Sequence, residues 1–226
     1  DTYYTKTLEK ANGEKIRVVS VSQPQMASTA SSALTAKMLY HYRPRYLFMT
    51  GIAAAVDPKE CSLGDIMVAE ECWDGASGKY KDGKFHPDPR HLNVDPVMIN
   101  ILKKARKNKK LLHEITSGSE FALRKKLKDV RVHIGQMASV PAVIAMAKKI
   151  EEISEHARKL MGIEMETYGV YYAAAHSVEP RPKFWASIKS VSDFATAKKK
   201  DNFQDYASYT SAAFLKHVIL NDLDYK

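Results

Sequence analysis

Hydrophobic residues fall into short unbroken runs, separated by longer stretches in which they recur every three or four positions. Ile16-Arg17-Val18-Val19-Ser20-Val21 reads as a strand, and Thr29 to Tyr42 as a helix with Leu34, Met38 and Leu39 on its apolar side. Arg45 to Met49 is a brief apolar run ending at Thr50-Gly51, the pattern of a buried strand. Leu63 to Ala69 predicts another strand after a turn containing Pro58. Lys79 to Pro96 carries prolines at 87, 89 and 96 and reads as a surface loop. Asp95-Pro96 then opens a helix to about Lys109, with proline in the first turn, where its missing N–H costs nothing. Val130 to Ile134 predicts a strand, followed by a helix from about Pro141 to Glu155. Gly162 to Met165 is a short strand running directly into a helix, Thr167 to His176, and Phe184 to Val191 is a strand leading to Ser192-Asp193. Asp201 and Gln204 are spaced as an N-cap and its reciprocal partner, opening a last helix from Asn202 to about Leu220.

Strands separated by helices imply the α/β class: a three-layer sandwich with a central mixed, mostly parallel sheet flanked by helices. Ligands of such sheets bind beyond the carboxyl ends of the strands. Four points are expected just past strand ends: Thr50-Gly51, Ala138-Ser139, Glu164-Met165-Glu166 and Ser192-Asp193. The pattern therefore gathers two or three carboxylates at one mouth. It leaves plainer roles open, with Glu166 as a first-turn acid complementing its helix dipole and Asp193 as an N-cap or loop carboxylate.

Composition narrows the classes. With 226 residues, 45% of them hydrophobic, one sizeable domain over residues 1–226 can bury a core. No apolar run is long enough to span a membrane, and the start Asp1-Thr2-Tyr3-Tyr4 has no signal-peptide character. Without an initiating Met, the chain is expected to be a processed form or a part excised from a longer protein. Cys61 and Cys72 do not form a CxxC motif and read as free thiols, which points to a reducing, cytoplasmic setting. The net charge of +9 sits in runs such as Lys103-Lys104, Arg124-Lys125-Lys126 and Lys198-Lys199-Lys200. No aromatic residues interleave them, so solvated surface is the reading and nucleic acid is not the expected partner.

Several segments resemble one family. Met161-Gly162-Ile163-Glu164-Met165-Glu166-Thr167-Tyr168-Gly169 looks like the Val-Glu-Met-Glu-Ala segment of purine nucleoside phosphorylases and methylthioadenosine/S-adenosylhomocysteine nucleosidases. Ser190-Val191-Ser192-Asp193-Phe194-Ala195 looks like their Val/Ile-Ser-Asp signature. Phe48 to Ala55, followed by Leu63 to Ala69, resembles their Thr-Gly-x-Ala-Gly-Gly and Gly-Asp-Val-Val-Val-Ala stretches. The order and spacing agree over roughly residues 15 to 215, and the tail from Lys198 to Tyr206 most resembles versions fused within larger signalling proteins.

The resemblance implies a purine nucleoside as the small-molecule partner, no cofactor and no metal, and a homo-oligomer. It implies that Asp193 protonates or hydrogen-bonds N7 of the base and that Glu166 holds the sugar 2′- and 3′-hydroxyls, with Met165 against the ribose. Glu164, Ser192, Thr50, Gly51, Ile52, Ala53, Ser139 and Val143 fall in the matching substrate-binding stretches. A carboxylate that tightens on the sugar in an oxocarbenium-like transition state stabilises that state selectively. The proton for the base must come from a carboxyl whose pKa is raised by burial so that it stays protonated at neutral pH, or arrive with the ligand.

The chain departs from the family pattern in places. Val143 stands nearest to a missing base-stacking aromatic, Ala54 and Ala55 replace glycines, and Lys189 replaces an arginine common in nucleosidases. Family members open with an apolar strand and a Gly-rich turn, and this chain is expected to begin after that element. Thr50 to Val56 offers no cation for phosphate, which favours a nucleosidase using water. A phosphorylase, with phosphate as second small partner, and a nucleoside-sensing domain with weakened catalysis are the alternatives. His86, His91 and His133 have no metal-ligand spacing.

Overall fold

The computed structural model describes residues 1–82, 84–141, 159–194 and 203–225. The chain opens with a hairpin, β1 (Tyr3–Glu9) and β2 (Lys15–Val21), followed by α1 (Ser28–Tyr42) and β3 (Tyr46–Ala55). β4 (Ile66–Asp74) leads into a small hairpin of β5 (Gly78–Lys81) and β6 (Lys84–Pro87), then β7 (His91–Asn93). Three helices follow: α2 (Pro96–Ala105), α3 (Lys109–Ser117) and α4 (Glu120–Lys125). β8 (Val132–Ser139), β9 (Leu160–Glu164), α5 (Thr167–His176), β10 (Phe184–Asp193) and α6 (Gln204–His217) complete the order, and α6 widens into a final π-type turn, Val218–Asp222.

The main sheet runs β10-β3-β9-β8-β4-β7, and β10 also pairs with β4. That extra pairing closes the sheet on itself. The expected three-layer sandwich is therefore corrected to a partly closed barrel with helices around it. Its long ladders are parallel, β10 with β3 and β4 with β8, whereas the closing contacts are short and antiparallel, such as Ala54↔Ile163 and Ile188↔Val68. Closure shields the strands from water, and it buries Ile66, Met67, Val68, Met137, Ile188 and Val191 completely or nearly so.

Several local expectations change. β3 does not stop at Thr50-Gly51 but continues to Ala55, because its ladder with β10 persists past the glycine. The stretch from Lys79 to Pro96 contains three strands rather than only loop. The helix expected from Pro96 to Lys109 ends at Ala105, and new helices start at Asn108 and Ser119, whose side chains accept the N–H groups of Leu111 and Ala122. Asp95 caps α2 by accepting from Val97 N at 2.7 Å. The helix expected from Pro141 to Glu155, and the Asp201 cap, lie outside the described residues.

Candidate active site

Ser139, Glu164, Glu166 and Lys189 meet where α5 begins. Glu164 ends β9 and is buried. One of its oxygens accepts a short hydrogen bond from Ser139 Oγ, at the end of β8. The other accepts from the backbone N–H of Glu166 at 2.9 Å and of Thr167 at 2.8 Å. Glu164 thus satisfies the open N–H groups of the α5 first turn, the task a capping acid performs. Glu166 makes no such cap bond, so its side chain is directed elsewhere.

Each oxygen of Glu166 has its own partner. Oε1 accepts from Ala27 N–H at 3.2 Å, and Oε2 meets Lys189 Nζ at 3.1 Å. Lys189 reaches this point from the middle of β10, and the same ammonium lies 3.3 Å from Glu164 Oε2. Its side chain is only 3% exposed, so the bridge sits in a low-dielectric interior where an ammonium requires carboxylate partners. Gly51 stands opposite Lys189 in the β3–β10 register, and a Cβ there would come within 3.3 Å of Nζ. A hydrogen at this position leaves room for the lysine to lie flat.

The α1 end of the clamp depends on close approach. Ser28 Oγ donates to Met165 O at 3.1 Å, and Ser31 Oγ donates to Glu166 O at 2.8 Å. Gly169 permits this, since a Cβ on it would fall 2.1 Å from Ser28 O. Ala27 itself has φ 92° and ψ 153°, a backbone region that costs a non-glycine residue of order 1–3 kcal/mol. The bond to Glu166 is one of the contacts that hold it there.

Ser192 and Asp193 close β10. The ladder with β3 pairs Val191 with Ala53 and Asp193 with Ala54, so Ser192 is a bulge. Bulges re-aim the side chains beyond them. Ser192 Oγ donates to Asp193 Oδ2 at 3.0 Å and lies 3.4 Å from Ala53 O. Ile52 and Ala53 run alongside on β3, whereas Thr50 is exposed on the strand before them. Val143 lies outside the described residues.

Sequence reasoning did not connect Ala27, Ser28 or Ser31 with Glu166, and it read Lys189 only as a replaced arginine. Two serines three apart facing a helical glycine are a close-packing signal; the φ of Ala27 leaves none.

A second charged cluster occupies the opposite, amino end of the β4–β8 ladder. Buried Asp65 accepts from Arg131 N–H at 2.9 Å and from Ser62 N–H at 3.0 Å, and meets His133 Nε2 at 3.0 Å. Burial pushes the Asp65 pKa up, but the His133 bond and the two N–H bonds outweigh it, and the net direction is down. The bond to Asp65 raises His133 to about 9. Its place at the amino ends marks it as structural.

A family model described as Phosphorylase superfamily matches residues 1–220. The chain belongs to this superfamily. It is 28% identical over 221 residues to an uncharacterized protein of Sinorhizobium fredii, covering 96% of this chain and 52% of that one. It is 25% identical to a death domain-containing ATP nucleosidase of Amphimedon queenslandica, covering 88% and 38%. The chain thus spans about half or less of the length of these curated relatives. Its fold matches that of S-adenosylhomocysteine nucleosidase from Streptococcus pyogenes, solved with 5-methylthiotubericidin, at a TM-score of 0.71 and 20% identity, covering 98% and 84%. No helix among the described residues is long and apolar enough to cross a membrane.

Proposed function

We propose that the chain is a purine nucleosidase that hydrolyses the N-glycosidic bond of an adenosine-type nucleoside. Residues 1–226 act as one catalytic domain, within a cytoplasmic homo-oligomer. The observation that carries this reading is the fixed carboxylate of Glu166, held on one oxygen by Ala27 N–H and on the other by buried Lys189. Its remaining lone pairs take the sugar 2′- and 3′-hydroxyls, and Met165, anchored through its carbonyl by Ser28, packs on the ribose.

Charge explains why such a site favours the transition state. Glu164 and Glu166 share one ammonium, so two negative charges against one positive leave a net charge of −1 out of water. A sugar that turns cationic as its glycosidic bond breaks gains from that field, whereas the neutral ground state gains little. Water's oxygen bonds C1′ and releases one proton to solvent, and the C1′–N9 electron pair leaves with the base. The departing base takes up one proton at N7 from the Asp193 carboxyl, oriented by Ser192. That carboxyl is reprotonated from solvent, so that the sum is one water added across the bond. The same field opposes phosphate as the nucleophile, because Lys189 is already shared between two carboxylates.

Incubation with adenosine, methylthioadenosine, S-adenosylhomocysteine, ATP and inosine, with and without phosphate, tests the proposal by chromatography of the free base. Base released from an adenosine derivative without phosphate supports it. Release only with phosphate makes the chain a phosphorylase, and binding without release makes it a sensor; either result overturns hydrolysis.

A further inference from the structure

The Asp65–His133 pair ties the amino ends of β4 and β8 together, and beyond that task it has a third member. His133 hydrogen-bonds the side chain of Cys61 as well as that of Asp65. Cys61 stands in the turn before β4, and its neighbours on either side are pinned to the same cluster. Arg131 Nη2 donates to the carbonyl of Glu60 at 2.9 Å, and Ser62 N–H donates to Asp65 Oδ2 at 3.0 Å. Cys61 N–H itself donates to the carbonyl of Asp57 at 3.1 Å. The backbone therefore holds the sulfur against the imidazole, and Asp65 orients the imidazole from its other side, the order of an activated nucleophile.

Charge and access set this thiol apart. The bonds to Asp65 and Cys61 raise His133 to about 9, so the ring is an imidazolium at neutral pH. Arg131 also meets Asp65, at 2.9 Å, so two positive charges face one carboxylate. One positive charge is left over, and a thiolate beside the imidazolium balances it. Cys61 is only 4% exposed, yet with His133 it lines a cavity of about 1070 Å³. The other ionisable walls carry both signs, Asp57, Glu60, Glu70 and Glu71 against Lys103, Arg106 and Lys159, which suits a small neutral guest. Cys72, the chain's other cysteine, differs in each respect. It is fully buried, and burial and the nearby Glu164 push its thiol well above the usual range.

We propose that Cys61, with His133 and Asp65, is a peroxide-reactive thiol, a second chemical site that does not depend on the nucleosidase reading. The sulfur attacks the terminal oxygen of a hydroperoxide; an S–O bond forms and the O–O bond breaks. Sulfur gives up two electrons and the peroxide takes them. The departing oxygen receives its proton from His133 and leaves as water, or as an alcohol from an alkyl hydroperoxide, and Cys61 becomes a sulfenic acid. Cys72 lies roughly 20 Å along β4 from the cluster, too far for a disulfide, so a small external thiol restores the residue.

Peptide-resolved mass spectrometry of the intact polypeptide tests this, with hydrogen peroxide as oxidant and dimedone capturing the sulfenic acid. At pH 7 Cys61 should be captured on the order of 100-fold faster in the folded protein than in urea, the gain expected of a positioned proton donor. Cys72 should stay unlabelled until the fold is lost. Capture at an ordinary thiol climbs as pH rises through about 8.5. Capture at Cys61 should instead fall as pH rises through about 9 and His133 loses its proton. His133→Gln should bring Cys61 down to the unfolded rate. Capture no faster than in urea, or a profile that climbs through pH 9, overturns the proposal. Both comparisons use the natural sequence, so they decide even where the substitution loosens the fold. An unchanged rate in His133→Gln with Cys72 still unlabelled also overturns it, because the imidazole is then idle in an intact fold.

Discussion

Gly169 sits inside a helix, where alanine is ordinarily the better residue by about 1 kcal/mol. The structure predicts the opposite sign for Gly169→Ala. The new Cβ would lie 2.1 Å from Ser28 O and 2.3 Å from Ser31 Oγ, and van der Waals contact begins near 3.4 Å. The start of α1 must retreat by about 1 Å. Ser28 Oγ–Met165 O at 3.1 Å, Ser31 Oγ–Glu166 O at 2.8 Å and Ala27 N–Glu166 Oε1 at 3.2 Å then stretch to or past the limit of a useful bond. Overpacking costs roughly 1–3 kcal/mol, and each weakened hydrogen bond roughly 0.5–1.5 kcal/mol. Set against the helix gain, the net is a loss of about 2–6 kcal/mol, or a fall in Tm of roughly 4–24 °C for a domain of this size. Thermal unfolding and urea titration of the wild type and variant give the value, and base release should fall with it. A variant as stable as the wild type, or more so, would refute the close-approach reasoning.

The remaining predictions are more local. Lys189→Met leaves buried Glu164 and half-buried Glu166 without their shared cation and should destabilise the fold by about 3–5 kcal/mol, measured as a lower urea midpoint at unchanged m. Asp193→Asn should keep stability within about 1 kcal/mol yet slow base release by roughly 10²–10⁴-fold; full activity would remove Asp193 from the chemistry. His133 is raised from 6.5 to about 9 in the folded chain, so its contribution is fully present below pH 6.5 and disappears as pH rises through 9. At 1.36 kcal/mol per pH unit that is about 3 kcal/mol lost across the window, and His133→Gln should flatten the slope of stability against pH there.

The sequence was most legible where one residue type answers one local need. Asp95-Pro96 marked a helix start, and the runs at Val130 to Ile134 and Phe184 to Val191 marked strands, because buried parallel strands demand continuous apolar residues. β1 left no such mark, since nearly all of Tyr3–Glu9 is exposed or half-buried and its polar and apolar residues follow no core pattern. Asn108 and Ser119 carried legible cap signals, and reading one helix through to Lys109 passed over the first of them. Barrel closure was out of reach, because Ile188↔Val68 and Ala54↔Ile163 join residues over a hundred positions apart. The same holds at the site. The Glu-Met-Glu and Ser-Asp segments could be recognised, but the bridge from Lys189 to both glutamates follows from the register that sets it opposite Gly51.

β10 is held from both sides. It is bound along its length to β3 and again, at Ile188 to Ser190, to β4, so its middle cannot slide or bow. Lys189, which fixes the Glu166 carboxylate, and Asp193, which addresses the base in the proposed reaction, are both mounted on it, four residues and roughly 13 Å of backbone apart. The strand is a ruler. If the proposed function holds, it measures a ligand from sugar to base, and the bulge at Ser192 is the graduation that sets where the base end falls. Selection among nucleosides by the span between their two ends would then belong to the sheet, and substitutions in the surrounding loops would change how tightly a ligand is held without changing the length that fits.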